Sequence, residues 1–168
     1  MTATTTLTIG GLLAALLVLV ANLYPWWTGK RQMKQLSSFG KGFGGAALAA
    51  SCPGGILGWV HSHTGGIANS VGEKAGSVGT GTSSAAGLSA GRLVGLSATG
   101  AVVVAVGVFL LVLSWKGSGA KEKKRIVGGA FVGSVFLLTA GVAGLLGWLP
   151  AALNSTGDQI VAAVQGAM

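Results

Sequence analysis

The chain has 168 residues, of which 51% are hydrophobic and 8% charged, and its mean hydropathy is +0.72. Soluble proteins carry roughly 25% charged residues, so too few polar side chains are present to cover a globular domain in water. A charged disordered chain is excluded as well, because it would need low hydrophobicity. Lys and Arg number 11 against 3 Asp and Glu, a net charge of +8. The fold class this implies is all-α: a polytopic integral membrane helix bundle with glycine-rich helix packing.

Crossing a hydrocarbon layer of about 30 Å takes roughly 20 apolar helical residues. Residues 1–29 carry no charged side chain and form the first expected transmembrane helix, with Leu7 to Leu23 as its apolar centre. Asn22 is the only amide in it, and an interhelical hydrogen bond is its expected role. Lys30, Arg31, Lys34 and Lys41 follow in a basic cytoplasmic loop, 30–42. Residues 43–60 are again uncharged and long enough to span. Five glycines thin their surface, and Pro53 removes a backbone donor and favours a kink. This segment reads as a transmembrane or a re-entrant piece. Residues 61–92 form a Gly/Ser-rich extracytoplasmic loop. In it Ile67, Val71 and Val78 recur at near-helical spacing with Glu73 and Lys74 between them, the pattern either of a short amphipathic helix or of a flexible Gly/Ser-rich connector. Residues 93–153 form a transmembrane helical hairpin, Leu93–Trp115 and Ile126–Leu153, joined by the basic turn 116–125. The segment 154–168 ends the chain as a short interfacial helix, with Ser155 or Thr156 as cap.

Three spans follow from composition, and orientation argues for a fourth. The two basic clusters, Lys30–Lys41 and Lys116–Arg125, hold 9 of the 11 cations. If 43–60 also crosses, both clusters face the cytoplasm, as the positive-inside rule requires. Both termini are then extracytoplasmic, in a multi-pass protein of the cell membrane. Trp26, Trp27, Trp59, Trp115 and Trp148 each stand at the C-terminal end of an apolar segment, where amphipathic rings anchor to the headgroup level.

The chain offers little for catalysis. Glu122 is embedded in Lys121-Glu-Lys-Lys-Arg125 as an ion-pair partner, and Glu73 and Asp158 are assigned to loops. His61 and His63 lack neighbours that would complete a metal shell. Cys52 is the single cysteine, so an intrachain disulfide is impossible. Gly40-Lys-Gly-Phe-Gly-Gly45 matches GxGxxG, but without the preceding strand that the dinucleotide fingerprint requires. A non-enzymatic protein is expected, with no catalytic residue, metal or cofactor beyond a bound phospholipid. Gly54–Gly58, Gly91–Gly95 and Gly129–Gly133 are GxxxG pairs that let helices approach closely, within one chain or between chains. Lys30, Arg31, Lys34, Lys116, Lys121, Lys123, Lys124 and Arg125 are the candidates for contact with lipid headgroups or an anionic cargo.

The hairpin Leu93–Leu149, two Gly- and Val-rich helices around the cationic turn 116–125, resembles the major pilins of type IV secretion. In that family such hairpins assemble into tubes with the basic turn facing the lumen. The Ala/Gly/Val-rich composition also resembles small plasmid-spread membrane proteins of actinobacterial conjugative elements. These resemblances imply a self-associating, pore-forming or structural subunit of a conjugation- or secretion-type transfer apparatus. Its partners would be membrane lipids and copies of itself or other subunits of a membrane complex, with nucleic acid as a candidate cargo. The alternatives are a holin-like lysis protein, small and cationic and oligomerising into lesions, and a structural membrane subunit without a pore.

Overall fold

A computed structural model describes residues 6–29, 33–81 and 85–167. Helices α1 (Ile9–Thr28), α2 (Met33–Ser51), α3 (Gly55–Thr80), α4 (Ala98–Lys116), α5 (Ala120–Leu137), α6 (Ala140–Leu145) and α7 (Leu149–Gly166) account for most of these. Among the described residues there is no strand, only two isolated bridges. Helices α1 and α4 are each long and apolar enough to cross a membrane. Helices α2 and α3 make a third such piece if a pair bent by 110° counts as one span.

Local chemistry sets the helix ends. The Thr8 hydroxyl accepts the Gly11 N–H at 3.2 Å and starts α1, and Ser97 does the same for Gly100 at 3.1 Å and starts α4. Between α2 and α3, Pro53 has no N–H to continue the ladder. Gly55 takes a left-handed conformation, φ +69°, that a side chain would resist.

The packing order across the molecule is α1, α5, α2, α4. Helix α3 closes over the N-terminal end of α1, and α7 over the N-terminal end of α4. Residues 86–91 join the two assemblies. The Leu88 N–H donates to the Leu7 carbonyl at 2.7 Å, and the Gly91 N–H donates to the Leu138 carbonyl at 2.8 Å. One buried cluster gathers Leu7, Ala15, Ala68 and Val135, and another gathers Ala47, Ala50, Leu93, Leu137 and Ala143.

Several apolar stretches are more broken than composition suggests. Residues 43–60 do not form one rod, because α2 stops at Ser51. Ile126–Leu153, expected as one continuous helix, divides into α5, α6 and α7. The Thr139 side chain accepts the Val142 N–H at 3.4 Å and starts α6 as a new helix. Leu93 to Leu96 precede α4 rather than opening it, and Gly95 sits at φ +95°. The hairpin helices α4 and α5 are not each other's main partners: α5 packs on α2 and α1, and α4 on α7 and α2. Finally, most of the expected loop 61–92 is helical, since α3 continues to Thr80. Its buried side is made by Ala68 and Gly72, while Ile67, Val71 and Val78 are exposed. Small residues, not the large apolar ones, hold this helix to the bundle.

Candidate functional site

Helices α2 and α5 begin side by side, so the basic segments that precede and open them share one end of the molecule. Lys34 Nζ lies 2.9 Å from Glu122 Oε1. The Glu122 carboxylate also accepts the Gly119 N–H at 3.4 Å, at the start of α5. The hydrogen bond from Lys34 holds the Glu122 carboxyl below the usual range, and the same bond raises the Lys34 ammonium above its ordinary value. Lys34, Lys121 and Arg125 line a shallow cleft of about 250 Å³ with Gln35 and Glu122. Lys123 stands over the Trp115 ring, 5.9 Å from its centroid. Lys116 and Lys124 are exposed. Lys30 and Arg31 lie outside the described residues. The remaining acids, Glu73 and Asp158, are on α3 and α7, so Glu122 is the sole acid of the two basic segments.

Above this end, α2 and α5 run parallel and nearly touch. A side chain at Gly42 would collide with the Ile126 carbonyl and the Ala130 nitrogen. One at Gly129 would collide with the Phe39 carbonyl and lie 3.2 Å from the Phe43 nitrogen. The two contacts are mirror statements of one another, with Gly42 and Gly129 at the crossing and Ile126/Ala130 answering Phe39/Phe43. Gly133 continues the seam against Phe43 and Ala46.

The opposite end carries the same symmetry in polar form. Asn69 Oδ1 accepts the Thr8 N–H at 2.9 Å and the Thr8 hydroxyl at 3.1 Å, and Asn69 Nδ2 donates to the Thr6 carbonyl at 2.8 Å. Asn154 Oδ1 accepts the Ser97 N–H at 2.8 Å and the Ser97 hydroxyl at 2.9 Å, and its Nδ2 donates to the Gly95 carbonyl at 2.7 Å. One turn on, Gly72 abuts the Gly10 backbone, and Gly157 abuts the Thr99 backbone. The sequence carries the duplication. Gly55-Ile-Leu-Gly-Trp-Val60 matches Gly144-Leu-Leu-Gly-Trp-Leu149, and Asn69-Ser-Val-Gly-Glu73 matches Asn154-Ser-Thr-Gly-Asp158. The stretch from Trp to Asn is shorter in the second copy by about one helical turn of ~3.6 residues, which keeps the asparagine on the same face. Trp26 and Trp115 likewise lie equally far from Thr8 and Ser97. The repeat is legible as self-similarity along the chain and not as a chemical motif, because most of the repeated groups are amides, hydroxyls and glycines. Its one acidic position, Glu73 and Asp158, has no partner carboxylate or metal ligand beside it among the described residues.

The expected packing glycines separate into two groups. Gly129 and Gly133 lie in the central seam, and Gly91 packs against Thr139 and Ala143. Gly54 and Gly95 face open space, and Gly58 meets only the turn before it, Cys52 and Pro53. Of the tryptophans, Trp26, Trp27 and Trp115 stand near the basic end, at the ends of α1 and α4. Trp59 and Trp148 stand near the starts of α3 and α7. Asn22, expected to bond across helices, donates instead to the Val18 carbonyl of its own helix at 2.8 Å and lies over Gly128. Among the described residues no group of three metal-binding side chains comes together. No protein family, curated protein or solved structure matches this chain.

Proposed function

We propose that this chain is a non-enzymatic, self-associating integral membrane protein that serves as a structural or pore-lining subunit of a conjugation- or secretion-type transfer apparatus. Helices α1 and α4 cross the membrane by their own length and apolarity, and α2 and α5, uncharged only beyond Lys41 and Arg125, cross packed between them. The basic ends face the cytoplasm, and both termini lie outside. Helix α3 and the α6–α7 pair lie along the outer surface, and the tryptophans form a girdle at each interface.

The observation that carries the reading is the pair of apolar flanks left by the duplication. Leu13, Leu17 and Val20 on α1 and Val102, Val106 and Phe109 on α4 are all exposed. They lie at the two outer edges of the row α1–α5–α2–α4. Exposed apolar surface of this extent marks contact with lipid or protein. Because the flanks occupy equivalent places in the repeat, α1 of one copy can meet α4 of the next and extend an assembly. The glycine seam closes the centre of each chain, so any passage forms between chains, with the cationic turns around its inner mouth. A polyanion such as nucleic acid suits that mouth in charge.

Leu17 and Val106 are equivalent positions. With Cys52 replaced by Ser, Leu17→Cys and Val106→Cys together are expected to give oxidised dimers and longer ladders in native membranes. Leu17→Cys alone is expected to give fewer. Monomers alone, both in oxidised membranes and in mild detergent, would overturn the reading.

A further inference from the structure

The duplication supplies an internal control for each interface, and one interface fails to match its twin. Helix α1 packs on α5, and α4 packs on α2 in the equivalent way. On the α1–α5 side, the positions of α5 facing the contact are filled: Phe131 and Val135 join the cluster around Ala15, and Val132 is fully buried. Asn22 closes the basic end of that contact by lying over Gly128. On the α2–α4 side the equivalents of Phe131 and Val132 are Gly44 and Gly45, and the equivalent of Val18 is Gly107. Leu111 fills the space over Gly45 and Leu48 the space over Gly107, but Gly44 stays open, and a shallow groove of about 290 Å³ remains beside it, walled by Leu48, Leu110 and Leu111. That volume is close to the lower limit of ligand pockets, roughly 300 Å³.

The basic end of the groove is polar. Lys41 Nζ donates to Ser114 Oγ at 2.9 Å, and both side chains line the opening. Ser114 is followed by Trp115 and Lys116, the residues that mark the headgroup level. Lys41 is exposed and has no ion-pair partner among the described residues. An apolar slot at hydrocarbon depth, ending in an ammonium and a hydroxyl at headgroup depth, has the charge and polarity profile of an anionic phospholipid. We infer that the α2–α4 groove is a binding site for one such lipid. Its phosphate accepts hydrogen bonds from Lys41 and Ser114, and one acyl chain lies along Gly44, Leu48 and Leu110. A helix of a second copy fits less well, since it would bury Lys41 against a chain of net charge +8.

The inference rests on the membrane placement proposed above and is independent of self-association. The test is native mass spectrometry of the full chain released from vesicles of phosphatidylcholine with a minor share of phosphatidylglycerol. The unaltered protein is expected to retain phosphatidylglycerol in preference to phosphatidylcholine. Lys41→Gln is expected to lower that occupancy about tenfold, the effect of losing one charge-assisted hydrogen bond. Gly44→Leu, which fills the groove from its open glycine and leaves the charge, is expected to lower it as well, and Lys74→Gln on α3 leaves it unchanged. Circular dichroism and thermal unfolding identify any variant that has lost its fold, and Ser114→Ala then serves as the second, milder test of the opening. Equal retention of both lipids, or undiminished retention in Lys41→Gln and Ser114→Ala, would overturn the site while leaving the membrane placement intact. A chain that disperses without detergent would overturn the placement itself.

Discussion

Two asparagines tie α3 and α7 to the heads of α1 and α4. Asn69 and Asn154 each satisfy two donors at the head of α1 or α4 and cap a carbonyl just before it. Those backbone groups have no partner within their own helices, so removing the amide leaves them to water or to nothing. Asn69→Ala and Asn154→Ala are each expected to lower unfolding stability in detergent by about 0.5–1.5 kcal/mol, since these bonds are exposed or half-buried. The two clamps are separate, so the double variant is expected to lose the sum to within about 0.5 kcal/mol. Thermal or denaturant unfolding of the four proteins checks this, and a large shortfall from additivity would mean that the clamps share a partner. The Lys34–Glu122 pair, by contrast, acts through charge and answers to pH. The folded state holds Glu122 below the usual carboxylate range. Its contribution is therefore full above that range and is lost as pH falls through the depressed value. Lys34 is raised above 10.5, so its contribution is full below 10.5 and is lost as pH rises through the elevated value. Unfolding of the native protein and of Glu122→Gln, followed across pH, should differ by a constant amount through the neutral range and converge in acid. A difference that persists in acid would show that Glu122 acts by packing alone.

At the scale of elements, what separates this fold from a set of straight spans is where the helices stop. Hydropathy shows where lipid can surround a helix, and it located α1 and α4 because nothing in Leu7–Leu23 or Ala101–Leu113 interrupts the ladder. Pro53 marks the break in 43–60 in the sequence itself, as the re-entrant alternative expects, whereas the break in 126–153 is invisible to hydropathy, because glycine and threonine are neutral on such a scale while deciding the backbone path. The spacing of Ile67, Val71 and Val78 does point to a helix within 61–92, but α3 is far longer than a short amphipathic piece, and its contact with α1 uses Ala68 and Gly72, whose smallness lets the backbones meet. The bend between α2 and α3 depends on Gly55 at φ +69°. No neighbouring atom lies within 4 Å of the place a Cβ would take there, so a substitution tests backbone strain without a clash. Gly55→Ala is expected to cost about 1–2 kcal/mol, the penalty of a left-handed L-residue. Gly54→Ala, beside it, has open space and no positive φ, and is expected to cost less. Unfolding measurements on the two variants compare them directly; equal effects would argue that the bend is set by Pro53 alone.

For the whole molecule, the duplication has a consequence for how the chain can be divided. Each half contributes one helix to the central seam, α2 from the first and α5 from the second, and each half's leading helix packs on the other half's seam helix. The first half alone therefore exposes Gly42 and Ala46 without their counterparts, and α1 without α5. Residues 86–91 add backbone bonds to both Leu7 and Leu138, so even the connecting segment belongs to both halves. Hydropathy does not reveal this intertwining, because the Asn–Gly signature recurs in two weakly apolar segments, 61–92 and 154–168, separated by the more apolar stretch 93–153. Residues 1–81 and 85–168, produced as separate chains in one membrane, are expected to copurify as a one-to-one complex. Either chain produced alone is expected to be degraded or to pair with itself through its own glycine helix, since Gly42 and Gly129 occupy equivalent places. Gly42→Val in the first chain should abolish the mixed complex, because its side chain meets the Ile126 carbonyl and Ala130 nitrogen. Mixed complexes that form equally well with Gly42→Val would show that the halves are held by the outer clamps and not by the seam.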